Sequence, residues 1–173
     1  MNVINQSAPS VGIGLRELIR RALSITHRVD YLQPVLLLAA RIYVSMIFFR
    51  AGLLKLGDWG STLALFHDTY KVPLLSPDIA AYVGTFGEVV FPVLIVLGIA
   101  GRFGAAALFV VNVMAVVSYP DLFGFECPAA IDSHYYWGAI LLMLVAFGPG
   151  KLALDTLVLR RIAPGMALRG HGV

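Results

Sequence analysis

Charge is scarce in this chain. Only 13% of its 173 residues are Asp, Glu, Lys or Arg, about half the share of an average soluble domain. So few charges cannot cover a water-facing surface, which excludes an ordinary soluble globule. Cysteine is nearly absent too. Cys127 stands alone, so no internal disulfide can form. The sequence contains no CxxC and no HxxxH spacing, so no recognised metal-ligand motif is present. A phosphate-binding glycine loop, a nucleotide fingerprint and a serine–histidine constellation are also missing. No apolar stretch followed by a small-residue cleavage site occurs in the first thirty residues, so no cleavable leader is expected.

What is abundant is apolar surface. Hydrophobic residues make up 59% of the chain, and mean hydropathy is +0.84. The solvent for most of the chain is therefore lipid. The net charge of +3 sets topology on this reading, and no nucleic-acid partner is expected.

The pattern predicts an all-α fold: a transmembrane four-helix bundle with an N-terminal amphipathic helix and both termini cytoplasmic. Residues 1–30 form a cytoplasmic tail, 31–158 the four-helix transmembrane domain, and 159–173 a basic cytoplasmic tail. In the first tail, Leu15, Leu18, Ile19, Ala22 and Ile25 share a face over residues 13–28, which suits either a helix lying on an anionic membrane surface or a solvated leader carrying orienting charges. Apolar spans are expected at 32–56, 79–99, 103–119 and 135–154, each near the ~20 residues of a bilayer crossing. Arg16, Arg20, Arg21, Arg28, Arg102, Lys151, Arg160, Arg161 and Arg169 fall on one side of these spans. The positive-inside rule puts that side in the cytoplasm and the loops 57–78 and 120–134 outside. Ser61 or Thr62 is the expected cap of a short helix in the first of these loops. Trp59 and Tyr70, and then Tyr135, Tyr136 and Trp137, suit the outer interface.

The first span is the exception to the scarcity of charge. It carries Arg41, Arg50 and Lys55, and a cation at mid-bilayer costs about 2.5–3.5 kcal/mol. Arg41, Ser45, Phe48, Gly52 and Lys55 recur at spacings of four and three and so form one stripe. Arg50 lies about 180° from Arg41 on the same helix and points elsewhere. Glu88 is the one acid near the middle of a span. Its helix also carries Gly84, Thr85 and Pro92, whose missing N–H frees the carbonyl of residue 88. With the spans aligned centre to centre, Arg41 lies about 6 Å and Arg50 about 7 Å from the middle of the first span, on opposite sides, and Lys55 about 15 Å out. The expectation is an Arg41–Glu88 pair, with Arg50 as the rival partner and Lys55 snorkelling to the outer interface. Such a pair either fixes helix register or marks a proton or anionic-ligand site. Asn112 in the third span is read as an interhelical hydrogen-bonding residue.

The outer loops hold His67, Asp68, Asp121, Glu126, Cys127, Asp132 and His134. Thiol and imidazole ligands suit a soft metal, which makes His67, Cys127 and His134 weak metal candidates. Their spacing fits ordinary loop residues better. No residue is assigned a catalytic role.

Several of these stretches together resemble the DoxX family of small four-span membrane proteins. They are Arg41 with Gly52 and Lys55; Glu88; Leu97-Gly-Ile-Ala-Gly-Arg102; His134-Tyr-Tyr-Trp137; and Gly148-Pro-Gly150 followed by Lys-Leu-Ala-Leu-Asp155. The resemblance covers roughly residues 35–160. It implies a four-helix bundle in a bacterial inner membrane and an association with redox chemistry. Some relatives are described as subunits of thiosulfate:quinone oxidoreductase or as partners of oxidative-stress enzymes. Others accompany copper-related peptide-modification systems, and Arg50-Ala-Gly-Leu-Leu-Lys55 and Tyr70-Lys-Val-Pro73 resemble that branch most. The family offers no agreed catalytic motif, and Arg50 is an addition to its general pattern.

The expected function is an accessory or membrane-anchor subunit of a redox or metal-stress system, with quinone or a small ligand as the candidate occupant of the bundle. The alternatives are a small oligomeric transporter or export partner for a metal or peptide-derived ligand, and a purely structural assembly factor. Expected partners are the lipid bilayer, other proteins of a membrane complex, and a second copy of this chain.

Overall fold

In a computed structural model of the protein, the described residues are 32–123 and 128–162, together with Gly14 and residues 17–20. Among them every regular element is helical. The expected N-terminal helix over 13–28 lies mostly outside the described residues. Of it, Gly14 and residues 17–20 are helical, with Arg20 paired to Glu17 at 3.3 Å.

Helix α1 spans Gln33–Gly57, α2 Trp59–Asp68, α3 Pro77–Leu97, α4 Gly101–Ser118, α5 Pro128–Phe147 and α6 Leu154–Ile162. A 3₁₀ turn, Pro120–Phe123, follows α4. Four helices are long and apolar enough to cross a membrane: α1, α3, α4 and residues Ala129–Phe147 of α5. This is a multi-pass membrane protein with the expected four spans.

Local chemistry sets the helix ends. Proline stands in the first turn of α1 and of α3, where its missing N–H costs nothing. Helix α3 stops at Gly98, which adopts the left-handed conformation with φ +71°. Its N–H donates to the Leu94 and Ile95 carbonyls, and the Ile99 N–H donates to Leu94. This is a glycine C-terminal cap. The α2 cap differs from expectation. Asp58 fills the position, its Oδ1 accepting from the Ser61 N–H at 3.0 Å and its Oδ2 from the Ser61 hydroxyl at 2.6 Å. Ser61 is thus the donor, because the chain turns one residue after Gly57 and leaves Asp58 at the exposed first-turn amides.

The fourth span also departs from the reading of the sequence. It was expected at 135–154, but α5 ends at Phe147 and begins at Pro128. Gly148 (φ +79°) and Gly150 (φ +80°) flank Pro149, and that combination ends the helix before any further apolar residue can extend it. Tyr135, Tyr136 and Trp137 consequently lie inside the helix and not at its start.

Helix α3 packs against α1 on one side and α4 on the other, α4 against α5, and α5 closes back on α1. The central core joins Leu37, Val44 and Phe48 of α1 with Ile95, Leu108, Leu141 and Leu144. The predicted stripe on α1 is the buried one: Arg41, Ser45, Phe48 and Gly52 are all buried. Leu54, Phe86, Phe103 and Val110 are exposed apolar residues on the opposite faces, as expected of helices whose outer surface meets lipid. Helix α2 lies across the α1–α3 end, with Phe66 against Ala80 and Ala81.

Candidate functional site

The charged residues of α1 serve two different ends of the bundle. Arg41 is 1% exposed yet pairs with no acid among the described residues. Its Nε donates to the Ile95 carbonyl at 2.7 Å, its Nη1 to Pro149 at 3.0 Å, and its Nη2 to Val96. Ile95 and Val96 belong to the last turn of α3, whose carbonyls carry the negative end of the helix dipole; the Ile95 carbonyl also accepts the Gly98 N–H at 3.1 Å. Pro149 lies just past the end of α5. One planar guanidinium, with donors in a fixed fork, therefore ties together the ends of two helices.

This overturns the expected Arg41–Glu88 pair. The physical reason is register. A Cβ added at Gly52 would fall 3.1 Å from both the Glu88 Cβ and its backbone carbon, so Gly52 and Glu88 are level. Relative to centre-on-centre alignment, α3 is displaced by about seven residues, roughly 10 Å at 1.5 Å per residue. Arg41 is thereby level with the C-terminus of α3.

The same end brings together two stretches that the sequence keeps fifty residues apart. The Asp155 carboxylate accepts from the Ala100 N–H at 2.6 Å, and the Asp155 N–H donates to the Gly98 carbonyl at 3.2 Å. A Cβ at Gly98 would fall 2.5 Å from the Ala153 Cβ and 2.7 Å from Arg41 Nη2, and one at Gly101 would fall 2.7 Å from Pro149 Cβ. The glycines of Leu97–Arg102 and the Gly148–Asp155 segment are thus the two halves of one tight joint around Arg41.

Glu88 is held from the other direction. Lys55 Nζ donates to its Oε2 at 2.6 Å, with side chains 17% and 12% exposed. Lys55 therefore does not snorkel as expected; the Gly52 contact places it one turn further along the same stripe, beside Glu88. The Lys55 carbonyl accepts from the Thr62 hydroxyl at 2.9 Å, which fixes the start of α2 over the pair. Pro92 sits buried inside an unbroken α3 and offers no N–H to the Glu88 carbonyl.

Tyr70, in the connection after α2, stacks edge-on against Phe66 and Tyr119. Burial pushes its phenol above the usual tyrosine range, and the charges of Glu88 and Tyr119 push it the same way. Tyr70, expected at the outer interface, is linked to Glu88 because the loop folds inward. Arg50 is exposed and has no ion-pair partner among the described residues. It faces away from the stripe, as its spacing predicts.

Beside the Lys55–Glu88 pair lies an apolar cleft of about 590 Å³, lined by Leu56, Trp59, Tyr82, Thr85, Phe86, Val89 and Val90. Trp59 and Tyr82 face each other with ring centroids 4.7 Å apart. Thr85 is 3% exposed, and its hydroxyl has no hydrogen-bond partner. An unsatisfied buried hydroxyl costs about 1–3 kcal/mol, so it is a donor waiting for an acceptor. Sequence reasoning named Thr85 as a support for Glu88 but missed the cleft, which three helices and a tertiary approach create. The Trp59 and Tyr82 rings were the available signal.

The remaining candidates are placed separately. Phe66 rests on Gly84, 3.5 Å from where its Cβ would be. Ser45 is buried with an unpartnered hydroxyl. Asn112 bridges α4 and α5: its Nδ2 donates to the His134 carbonyl at 3.0 Å, and its Oδ1 lies 2.8 Å from His134 Nδ1. With the amide nitrogen committed as donor, Oδ1 accepts the ring N–H. His67 contacts Asp78 at 3.0 Å. His67 and His134 do not converge, and among the described residues no three metal-ligating side chains do. Glu126 and Cys127 lie outside the described residues.

The sequence profile of the DoxX family matches residues 36–120. An uncharacterized protein of Haemophilus influenzae is 32% identical over 129 residues, covering 72% of this chain and 83% of that protein. No solved structure matches the chain.

Proposed function

The chain belongs to the DoxX family, and from that premise we propose that it is a membrane subunit that holds a quinone in the cleft between α1, α2 and α3. One observation carries the reading: a cleft of ligand size lined by Thr85, whose buried hydroxyl has no partner. Small-molecule sites are concave and mostly apolar, with volumes of about 300–1,000 Å³ and a few fixed polar groups. A ring carbonyl supplies the acceptor that the Thr85 hydroxyl lacks. Trp59, Tyr82 and Phe86 offer aromatic faces to a flat ring, and Leu56, Val89 and Val90 suit a prenyl tail.

A bound quinone supplies a two-electron, two-proton couple. The chain's own residues bind and orient. Thr85 fixes the ring, and Glu88, one turn along α3, is a proton-carrying group held by Lys55. The wider assignment is an accessory subunit of a redox or metal-stress system in a bacterial inner membrane, with both termini inside. The family resemblance, the bacterial relative and the one-sided distribution of Arg and Lys support it.

The test is to purify the full chain in native-lipid nanodiscs and quantify extracted quinone. About one quinone per chain is expected. Thr85→Val should lower retention about tenfold, the loss equivalent to one hydrogen bond. A preparation that carries only phospholipid and takes up no added quinone sinks the proposal.

A further inference from the structure

The Arg41 end of the bundle has a cavity of its own, about 170 Å³, remote from Thr85. It lies between the first turn of α1, the last residue of α5, the Gly148–Lys151 connection and the start of α4. Two cations line it, Arg102 from the first turn of α4 and Lys151 from the connection after α5. Neither has an acid within ion-pair distance among the described residues. Asp155, in the first turn of α6, is committed to the Ala100 N–H. Gly148 lets Arg102 approach the wall closely: a Cβ there would fall 3.0 Å from Arg102 Nε.

The rest of the lining is split by polarity. Gln33 and Thr156 are polar, the Thr156 hydroxyl donating to the Gly150 carbonyl at 3.0 Å, and Leu37 and Phe147 are apolar. Depth gives that split a direction. The 25 residues of α1 rise about 37 Å, more than the roughly 30 Å of hydrocarbon. The Gln33 end therefore reaches headgroup level, with Leu37 and Phe147 at the edge of the acyl region. Two cations with no acid partner among the described residues, at headgroup depth above an apolar wall, match an anionic amphiphile.

We infer that this cavity binds the phosphate of an anionic phospholipid, one whose headgroup carries no ammonium. Arg102 and Lys151 hold the phosphate oxygens by charge-assisted hydrogen bonds, Gln33 adds an amide donor, and the acyl chains follow Phe147. A zwitterionic headgroup would bring its ammonium against the same two cations. This site is independent of the quinone proposal and survives its failure.

The experiment uses the full chain in nanodiscs of phosphatidylcholine with a minor fraction of phosphatidylglycerol, and reads bound lipid by native mass spectrometry. Phosphatidylglycerol should be enriched on the protein. Arg102→Gln with Lys151→Gln should lower that preference about thirtyfold, the loss expected for two interfacial cations. Arg102→Lys with Lys151→Arg should retain it. Arg161→Gln, a cation at the same end outside the cavity, should leave it unchanged; an equal loss there means general surface charge and overturns the site. Far-ultraviolet helicity and the thermal midpoint in phosphatidylcholine alone establish that each variant is folded. If inorganic phosphate competes fully with phosphatidylglycerol, the ligand is soluble phosphate and the lipid assignment falls. Equal binding of both lipids to the native chain overturns it as well.

Discussion

Lys55 and Glu88 meet across the α1–α3 interface at 2.6 Å, one turn above the point where Gly52 lets the two helices touch. The contact defines the register of the pair of helices. It also leaves Arg41 without an acid partner among the described residues, and Arg41 instead gathers the carbonyls of Ile95, Val96 and Pro149. The two halves of the molecule are thus held by different chemistry: an ion pair at one end, a cation on helix C-termini at the other.

Removing either member of the Lys55–Glu88 pair leaves a largely buried charge. Lys55→Met or Glu88→Leu should each destabilise the fold by about 3 kcal/mol. The double variant should recover most of that loss, since two apolar groups replace a buried pair at little cost. Denaturant or thermal unfolding in a fixed detergent measures the cycle. Additive losses would mean the pair is not coupled. Combining Arg41→Glu with Glu88→Arg should bring no rescue.

Arg41 is required for its geometry as well as its charge. Arg41→Met removes three charge-assisted hydrogen bonds and leaves the Val96 and Pro149 carbonyls without this donor, while Ile95 keeps the Gly98 N–H; the loss should be about 3 kcal/mol. Arg41→Lys keeps the charge but not the fork and should recover less than half of the loss. Limited proteolysis at the α3–α4 turn reads the local opening. Full recovery by lysine would show that the charge alone suffices.

Gly98 combines a positive φ with contacts under 3 Å for any added Cβ. Gly98→Ala should cost more than about 1 kcal/mol and loosen the joint with Ala153. Gly57→Ala, where an added Cβ meets nothing within 4 Å, is the control and should lie within about 0.5 kcal/mol of the native chain. Equal thermal midpoints for the two variants would contradict the joint.

Asp58 caps α2 from a fully solvated position. Its hydrogen bonds to Ser61 hold the carboxyl below the usual aspartate range. A folded pKa below the unfolded one means that the cap stabilises above about pH 4. That contribution is lost as pH falls through the lower folded value. Amide exchange at Ser61, followed against pH, should show this loss. Asp58→Asn should make that protection independent of pH over the same window.

Tyr70 reports on Glu88. Burial and the neighbouring charge both raise its phenol, so Glu88→Gln should lower it toward the usual value while leaving it above. Tyrosinate absorbance during an alkaline titration, compared with Tyr70→Phe to identify the band, measures the change. An unmoved titration would place Glu88 too far from Tyr70 to act on it.

The sequence by itself determined the solvent, the number of membrane spans and the buried face of α1. Few charges and four long apolar runs leave no other home than a bilayer. The 3.6-residue period put Arg41, Ser45, Phe48 and Gly52 on one stripe and Arg50 off it, because those are properties of a single helix. It did not determine who meets whom. Register between α1 and α3 depends on where Gly52 finds a gap, and a shift of roughly 10 Å exchanged the partner of Glu88. Arg41's acceptors could not be found as opposite charges, because they are backbone carbonyls that become free only where helices end. The cleft at Thr85 and the cavity at Arg102 and Lys151 exist only between elements. Their lining residues are distant along the chain, and only the packed structure decides that they share a wall.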